Sequence, residues 1–551
     1  MTTKPVRNIT PALLAAGCLA FLTGCPYHSS GPKETPVVTG NRDQILHFGN
    51  GTEPADLDPQ TVTGVPEHHL MLALFEGLAG GDPKTLEPIP AAAETWDVSE
   101  DGKVYTFHLR KDAKWSNGDP VTADDFYWSY RRILTPTLGA EYVYMHYIVK
   151  NAREYYDKKI TDFSEVGYKV IDPHTLEITL NAPTPYFLQL LHHYSWYPVH
   201  PATVEKFGGT DKKGTQWTRP ENLVGNGPYT LASWKLNHVI VVKKSETYWD
   251  RDAVKIKEIH FYPTEDEHGE ERDFRAERLH VTNILPFNKI DVYREKNPEL
   301  LMLDAYLGTY YYRFNVTKPP LNDVRVRRAL SLAIDRQKIV QFVTKGGETP
   351  AVHFVPPKTM GYTSTTRLEP DVVEAKRLLA EAGFPDGANF PQVELLYNTS
   401  ERHRGVAQAI QQMWKQSLNV EVGLVNAEWK VYLDRQSQLD YDISRAGWIG
   451  DYIDPNTFMD MWLTGGGNND TGWSNLEYDR LIKQAGETVD ETARYQLFQQ
   501  AEKILLDESP IMPIYFYTKV YLKQPSLQGW YPNLLNTHPY KFLSLVPDEG
   551  N

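Results

Sequence analysis

The sequence predicts an α/β protein with mixed sheets. Two observations carry that expectation. Segments of period-two hydrophobicity alternate with helical segments along the chain. The 551 residues also suffice for three or four domain-sized units, or for two large lobes. The globular part is expected to begin near Gln44.

The elements follow in order. In VYTFHLR (104–110), Tyr105, Phe107 and Leu109 alternate with Thr106, His108 and Arg110, the pattern of a half-buried strand. Asn117-Gly118 then supplies a turn. A helix follows, with Thr122 and Asp125 as a capping box in which Asp replaces the usual Glu. Phe126, Tyr130 and Ile133 fall on one face of it. LEITL (176–180) is a second alternating strand, entered through the turn DPHT. GNGPYTLASW (225–234) is a Gly/Pro turn leading into a strand. Residues 322–340 read as one helix with Val326, Leu330, Ala333 and Ile334 inward. Residues 370–385 read as a helix stopped by Gly383, with Pro385 beyond. A further helix is expected over 407–418 and a strand over 420–426. No internal repeat is visible.

Composition narrows the function. A net charge of −14 without a basic stripe argues against nucleic acid as a partner. The chain is 12% aromatic, which suits surfaces that grip something both polar and apolar. Its two cysteines, Cys18 and Cys25, both lie near the start. Lys4 and Arg7 precede an apolar run from Ala12 to Gly24, short for a membrane span and long enough for a signal h-region. An ordinary cleaved signal or a short anchor would explain it. LTGC also resembles the bacterial lipobox, with Cys25 lipidated and Cys18, after AAG, the alternative. PYHSSGPKETPVVTGNRD (26–43) reads as a flexible tether.

Catalytic constellations are hard to find. There is no G-x-S-x-G, H-E-x-x-H or C-x-x-C. GTDKKGT (209–215) lacks the lysine a phosphate loop requires. HHYSWYPVH (192–200) carries three histidines, read as packing or surface rather than as a metal site. Glu53, Asp56 and Asp58 could be imagined as a glycosidase pair, although Asp58-Pro59 reads better as the start of a turn. SRAGWIGDYIDP (444–455) is less ordinary. It sets Arg445, Asp451 and Asp454 among Trp448 and Tyr452. Taken alone, Arg445 and Asp451 read as a structural ion pair.

Several stretches then converge. LDPQTVTGVPEHHLMLALFEGL, YTFHLRKDAKWSNGDPVTADDF, TYYYRFNVTKPPLNDVRVRRALSLAIDR, LLYNTSERHR, AEWKVYLDRQ and SRAGWIGDYIDP resemble, collinearly, the oligopeptide-binding proteins of bacterial ABC importers. These form the peptide-binding branch of the family 5 extracytoplasmic solute-binding proteins. The resemblance implies a periplasmic-binding-protein type II-like, two-lobed clamshell with mixed sheets and an extra subdomain. Residues 1–24 would be signal peptide and 25–43 lipidated tether. Residues 44–75, 204–307 and 519–551 would form subdomain I of lobe 1, 76–203 its subdomain II, and 308–518 lobe 2.

By the same resemblance Asp451 holds a peptide's α-ammonium, and Trp448, Trp429 and Tyr142 line side-chain pockets. Arg445 meets the carboxylate of a short peptide, and His403 that of a longer one. The partners implied are an oligopeptide, permease subunits and a membrane reached through the lipid anchor. A monomer without cofactor or metal is expected, placed in the periplasm or cell envelope. Three charges usual in the family are replaced, at Thr63, Thr344 (beside Lys345) and Gln436 (beside Arg435). A family disulfide would need cysteines at Gly308 and Ile449. The same fold carrying another solute (a muropeptide, an oligosaccharide or a metal chelate) is the alternative reading, and a secreted hydrolase a more distant one.

Overall fold

A computed structural model describes residues 34–546. Cys18, Cys25 and the signal and lipidation readings lie outside the described residues. The tether expected through residue 43 gives way to structure at Thr35. Thr35 Oγ1 accepts from Val38 N–H, Pro36 occupies the first helical turn, and Pro36–Asp43 is a helix. Its Val37, Gly40 and Asn41 are buried, and Val37 N–H donates to Glu277 O at 2.9 Å. The Pro, Thr and Gly that suggested flexibility here serve as helix chemistry.

Three larger sheets carry the fold. The first runs Ile45–Gly49, Glu258–Tyr262, Val239–Lys244, Tyr229–Lys235, with its first pair parallel. The second is antiparallel and runs Ala93–Val98, Val104–Leu109, Thr175–Thr179, Tyr168–Asp172. Tyr105, Phe107, Leu109, Leu176 and Ile178 point into its core, as their alternation predicts. The helix Ala123–Ile133 covers that core with Phe126, Tyr130 and Ile133, and Asp125 closes its capping box on Thr122 N–H at 2.8 Å.

The third sheet has six strands, in the order Thr349–Pro350, Ile511–Leu522, Leu301–Phe314, Ile443–Ile449, Val393–Asn398, Val422–Ala427. Two of them are unusually long, and they do more than fill the sheet. Leu301–Phe314 and Ile511–Leu522 pair in register from Leu301 to Ala305, slip, and resume at Thr309. On one side of the slip they lie in this sheet. On the other they bond Thr282 and Leu285, which belong with the first sheet's layer. The two lobes are thus joined through one strand pair that is irregular where it crosses between them.

Two helices differ from expectation, for reasons that lie in their caps. The helix expected over 322–340 is Val324–Leu332 followed by a break. Asp335 accepts from Lys338 N–H and starts a new turn, Arg336–Lys338, which runs into a π-helical stretch, Ile339–Thr344. Val326, Leu330, Ala333 and Ile334 are buried all the same. The helix expected from 407 begins earlier, as Glu401–Leu418, because Ser400 Oγ accepts from His403 N–H. That cap places Arg402 and His403 in its first turn. Residues 370–385 hold the helix Val372–Glu381, with Gly383 at φ +99° beyond its end.

Candidate functional site: a closed cleft along an open strand edge

The strand Ile443–Ile449 is the axis of the site. One side of it pairs antiparallel with Leu301–Phe314, from Ile443 opposite Phe314 to Ile449 opposite Gly308. On the other side Val393–Asn398 reaches only Ile443 and Ser444. Gly450 N–H donates to Leu307 O at 2.7 Å. By antiparallel alternation Ala446 and Trp448 therefore direct their backbone groups to the paired side, and Arg445, Gly447 and Ile449 to the open one. Arg445 O is taken by the Tyr432 hydroxyl and the Gln436 amide. Gly447 and Ile449 present an unpaired edge to a cavity of about 450 Å³. Glycine at 447 leaves room for Tyr517, since a Cβ there would lie 2.4 Å from Tyr517 Oη and displace it.

The cavity is lined by both lobes. Past the strand's end Asp451 N–H donates to Thr457 Oγ1, and the carboxylate turns into the cleft. Its Oδ2 is buried and without a hydrogen-bond partner, and Oδ1 lies 3.6 Å from His193 Nε2. His193 Nδ1 accepts from Ser195 N–H, which leaves the proton on Nε2. Burial holds this imidazole well below its ordinary pKa, so it brings no charge to Asp451. Burial, then the nearby Asp460, pushes the Asp451 carboxyl well above the usual carboxylate range. Tyr142 packs tilted against His193, with ring centroids 4.4 Å apart, and lies 6.4 Å from Trp448. Trp448 is fixed by donating to Thr457 O at 2.6 Å. Tyr142, Trp448 and Asp451 are thus brought together, with His193 as an unforeseen fourth.

Arg445 stands at the other end of the open edge. Its guanidinium lies over the Tyr310 ring at 4.7 Å and donates to Tyr517 Oη at 2.6 Å and Asn398 Oδ1 at 3.3 Å. Its Nε is buried without a partner. No carboxylate pairs with it among the described residues. The ion pair that Arg445 and Asp451 suggest when read alone is therefore absent. The acid of that stretch that does pair is Asp454, doubly bonded to Arg494 at 2.7 Å. His403 stands beside Arg445, its Nδ1 3.3 Å from Tyr310 Oη. Burial, then Arg445 and Arg402, lowers its pKa well below the ordinary value.

Trp429 opens the helix Trp429–Ser437 and stacks on Tyr432. Its Nε1 is buried and unbonded, as is Glu67 Oε2 from the opposite lobe. A Cβ on Gly64 would lie 1.9 Å from that oxygen and 3.3 Å from Trp429 Cζ2, so carboxyl and indole are neighbours across the cleft. The segment after Asp451 also reaches over. Tyr452 stacks on Tyr186 at 5.0 Å, and Ile453 N–H donates to Gln189 Oε1 at 3.2 Å.

The replaced family charges have defined places. Thr63 lines the cleft, and Gln436 bonds Arg445 O, Tyr432 and Ser444. Thr344 is buried against Glu348, and Lys345 turns outward toward Asp291 at 3.8 Å. Gly308 sits opposite Ile449. The acids weighed as a glycosidase pair are tied up structurally. Asp58 forms a buried ion pair with Arg132 at 2.6 Å, Glu53 holds Trp234 and Asn237, and Asp56 accepts from Thr218. Among the three histidines of 192–200, His200 caps the helix Pro201–Lys206, and His192 and His193 line the cavity.

Known proteins resemble the whole arrangement. The model of bacterial extracellular solute-binding proteins, family 5 Middle, matches residues 87–470. The periplasmic oligopeptide-binding protein OppA of Escherichia coli is 39% identical over 95% of this chain and 96% of its own length. The crystal structure of Haemophilus influenzae OppA in complex with RPPGFSPFR superposes with a TM-score of 0.87 at 34% identity, covering 92% of this chain and 99% of that one. The E. coli murein tripeptide-binding protein MppA, 36% identical over 91% of this chain, gives 0.86 in one structure and 0.61 in its unliganded open form, covering 98% and 97% of those chains. The lobes here therefore stand closer to the first of those MppA structures than to the open one.

Glu67 gives a pH signature. It is 1% exposed, accepts from Ala55 N–H at 2.6 Å, and burial raises its pKa to about 7. A carboxyl raised in the folded state favours folding fully below its unfolded pKa, and that contribution is lost as pH rises toward 7. The loss from this group should reach about 3 kcal/mol. Urea unfolding of the wild type and Glu67→Gln across pH 5 to 8 checks it. The variant should lack that part of the slope, and parallel curves would show that Glu67 titrates normally.

Proposed function

The chain belongs to the bacterial extracellular solute-binding proteins of family 5, and we propose that it is the receptor of an ABC importer that captures oligopeptides. It works outside the cytoplasmic membrane and hands its ligand to a membrane permease. The proteins it resembles bind rather than transform their ligands. One observation supports the reading above others. Two opposite charges, Asp451 and Arg445, flank an unpaired strand edge inside a closed cleft, and neither has a charged partner among the described residues.

A zwitterionic peptide answers every part of that arrangement. Its α-ammonium supplies the cation Asp451 lacks, and its carboxylate the anion Arg445 lacks. Uncompensated, such buried charges cost several kcal/mol each. Its backbone adds to the edge at Gly447 and Ile449, a β-augmentation that reads no side chains. Asp451 follows the strand's end and Arg445 lies near its start, so the peptide runs antiparallel to Ile443–Ile449. Side chains enter the aromatic walls of Trp448 with Tyr142, and of Trp429. A longer peptide would carry its carboxylate toward His403. An oligosaccharide would leave Asp451 Oδ2 without a cation, and for that reason we favour a ligand with a free amine.

The N-terminus would be lipidated at Cys25, mooring the receptor to a membrane. The signal-like start, LTGC and the Pro/Ser-rich stretch after it support this. Cys25→Ser should release the protein from membranes on fractionation. Retention with Cys18 intact would move the anchor to Cys18 or to an uncleaved segment.

Asp451→Asn keeps the shape of the site and removes its charge. Loss of one partner of an enclosed ammonium–carboxylate pair costs about 2–5 kcal/mol, roughly thirtyfold to several-thousandfold in affinity. N-acetylating the peptide should weaken binding comparably in the wild type and far less in the Asn variant. Calorimetry on the four combinations measures the coupling. Equal binding of free and acetylated peptides by the wild type would make Asp451 a structural residue.

A further inference from the structure

The cleft holds two cations that the ends of a short peptide leave unused. Arg402, in the first turn of Glu401–Leu418, is 3% exposed and lines the cavity beside His403. Its Nη1 donates to Glu348 Oε1 at 2.7 Å, while Nε and Nη2 are buried with no hydrogen-bond partner among the described residues. Those two nitrogens form the side-on edge with which a guanidinium grips a carboxylate bidentately. Lys519, on the strand Ile511–Leu522 where it passes between the lobes, lines the same cavity. Its Nζ donates to Asn283 Oδ1 at 3.2 Å, and no carboxylate lies within 4 Å of it among the described residues.

Most of the acids nearby are already committed, although Glu267 keeps one buried oxygen, Oε2, without a hydrogen-bond partner among the described residues. Glu348 also accepts from Thr344 Oγ1 and Gly346 N–H. Glu267 is bound by Ser400 Oγ at 2.6 Å, and burial raises its pKa. Glu270 accepts from Asn283 and Ile284 N–H, and burial raises it to about 8. Asp304 accepts from Tyr521 Oη. Burial, opposed by Glu270 and joined by repulsion from Arg402, lowers Lys519 to about 8. A guanidinium with an unbonded edge and an amine short of anions, in one enclosed space, call for an anionic group from the ligand, which Arg402 would turn slightly to meet.

We propose that Arg402 and Lys519 form a second carboxylate-binding subsite, which takes an acidic group on peptides too long to end at Arg445. The group is either the α-carboxylate or the side chain of an acidic residue near that end. The inference rests on the peptide reading above. It makes the closed cleft tolerant of length: a short peptide stops at Arg445, and a longer one continues to Arg402 and Lys519 with both of its ends still paired.

Calorimetry with alanine-rich peptides of three to six residues tests it, each with a free or an amidated C-terminus. For the longer peptides amidation should cost the wild type about tenfold to a hundredfold, the worth of a charge-assisted hydrogen bond. Most of that cost should vanish in Lys519→Met. It should vanish likewise in Arg402→Gln combined with Glu348→Gln, which removes the buried pair together and leaves no lone charge. For the tripeptide the amidation cost should persist in both variants, which also shows that they are folded. An amidated five-residue peptide ending in Glu that recovers affinity in the wild type, and not in Lys519→Met, assigns the subsite to side-chain carboxylates as well. An undiminished amidation cost for long peptides in both variants would overturn the subsite while leaving the peptide reading intact. A wild type that binds none of these peptides would overturn both.

Discussion

A charge buried away from water must find a partner, and the closed cleft is organised around two that have no charged partner among the described residues. Several other deep charges are paired with an opposite one. Asp58 meets Arg132, Asp454 meets Arg494, and Glu348 meets Arg402. Asp451 and Arg445 are treated differently. One faces a neutral imidazole, and the other rests on tyrosine hydroxyl and ring. These contacts orient each group without cancelling its charge. Closing over an empty cleft therefore leaves Arg445 uncompensated and drives Asp451 toward its neutral, protonated form, and closing over a zwitterion pairs both charges. That differential is what a ligand needs in order to shift a population from open to closed.

The strand architecture makes the differential available. Leu301–Phe314 and Ile511–Leu522 run between the lobes and slip register between Ala305 and Thr309 and again between Tyr310 and Tyr311, so the connection is continuous and irregular where it crosses. Ile443–Ile449 gives one edge to that pair and leaves the other open over Gly447 and Ile449. Contacts from the far lobe complete the enclosure. Glu67 comes against Trp429, Tyr186 against Tyr452, and His193 against Asp451. Every one of these lies near the cleft, so closure and ligand enclosure are one event. Glycine at 447 is part of the same economy, because it lets Tyr517 reach Arg445 across the face of the strand.

Local patterns in the sequence carried much of this. Alternation in 104–110 and 176–180, the Thr122–Asp125 cap and the stop at Gly383 depend on neighbours a few residues away, and the structure shows each. The boundaries that shifted were set by single side chains, Thr35, Asp335 and Ser400, whose capping competes with composition and periodicity. In the site, the crowding of rings and charges in SRAGWIGDYIDP was visible, and so was its likeness to a binding motif. What Asp451 and Arg445 do not touch was not visible, because an absent ion pair leaves no local trace. His193, Glu67, and Tyr517 with Lys519 arrive from three distant parts of the chain. Only the histidine-rich run at 192–200 hinted at one of them, and it read as packing.

The most direct measurement is the identity of the solute carried by the protein when it is purified without denaturation from the cells that make it. Native mass spectrometry, followed by release and sequencing of the bound material, gives that identity. Peptides of mixed sequence with free amino termini, one per protein, are expected. A single non-peptide solute, or peptides whose amino termini are blocked, would contradict it.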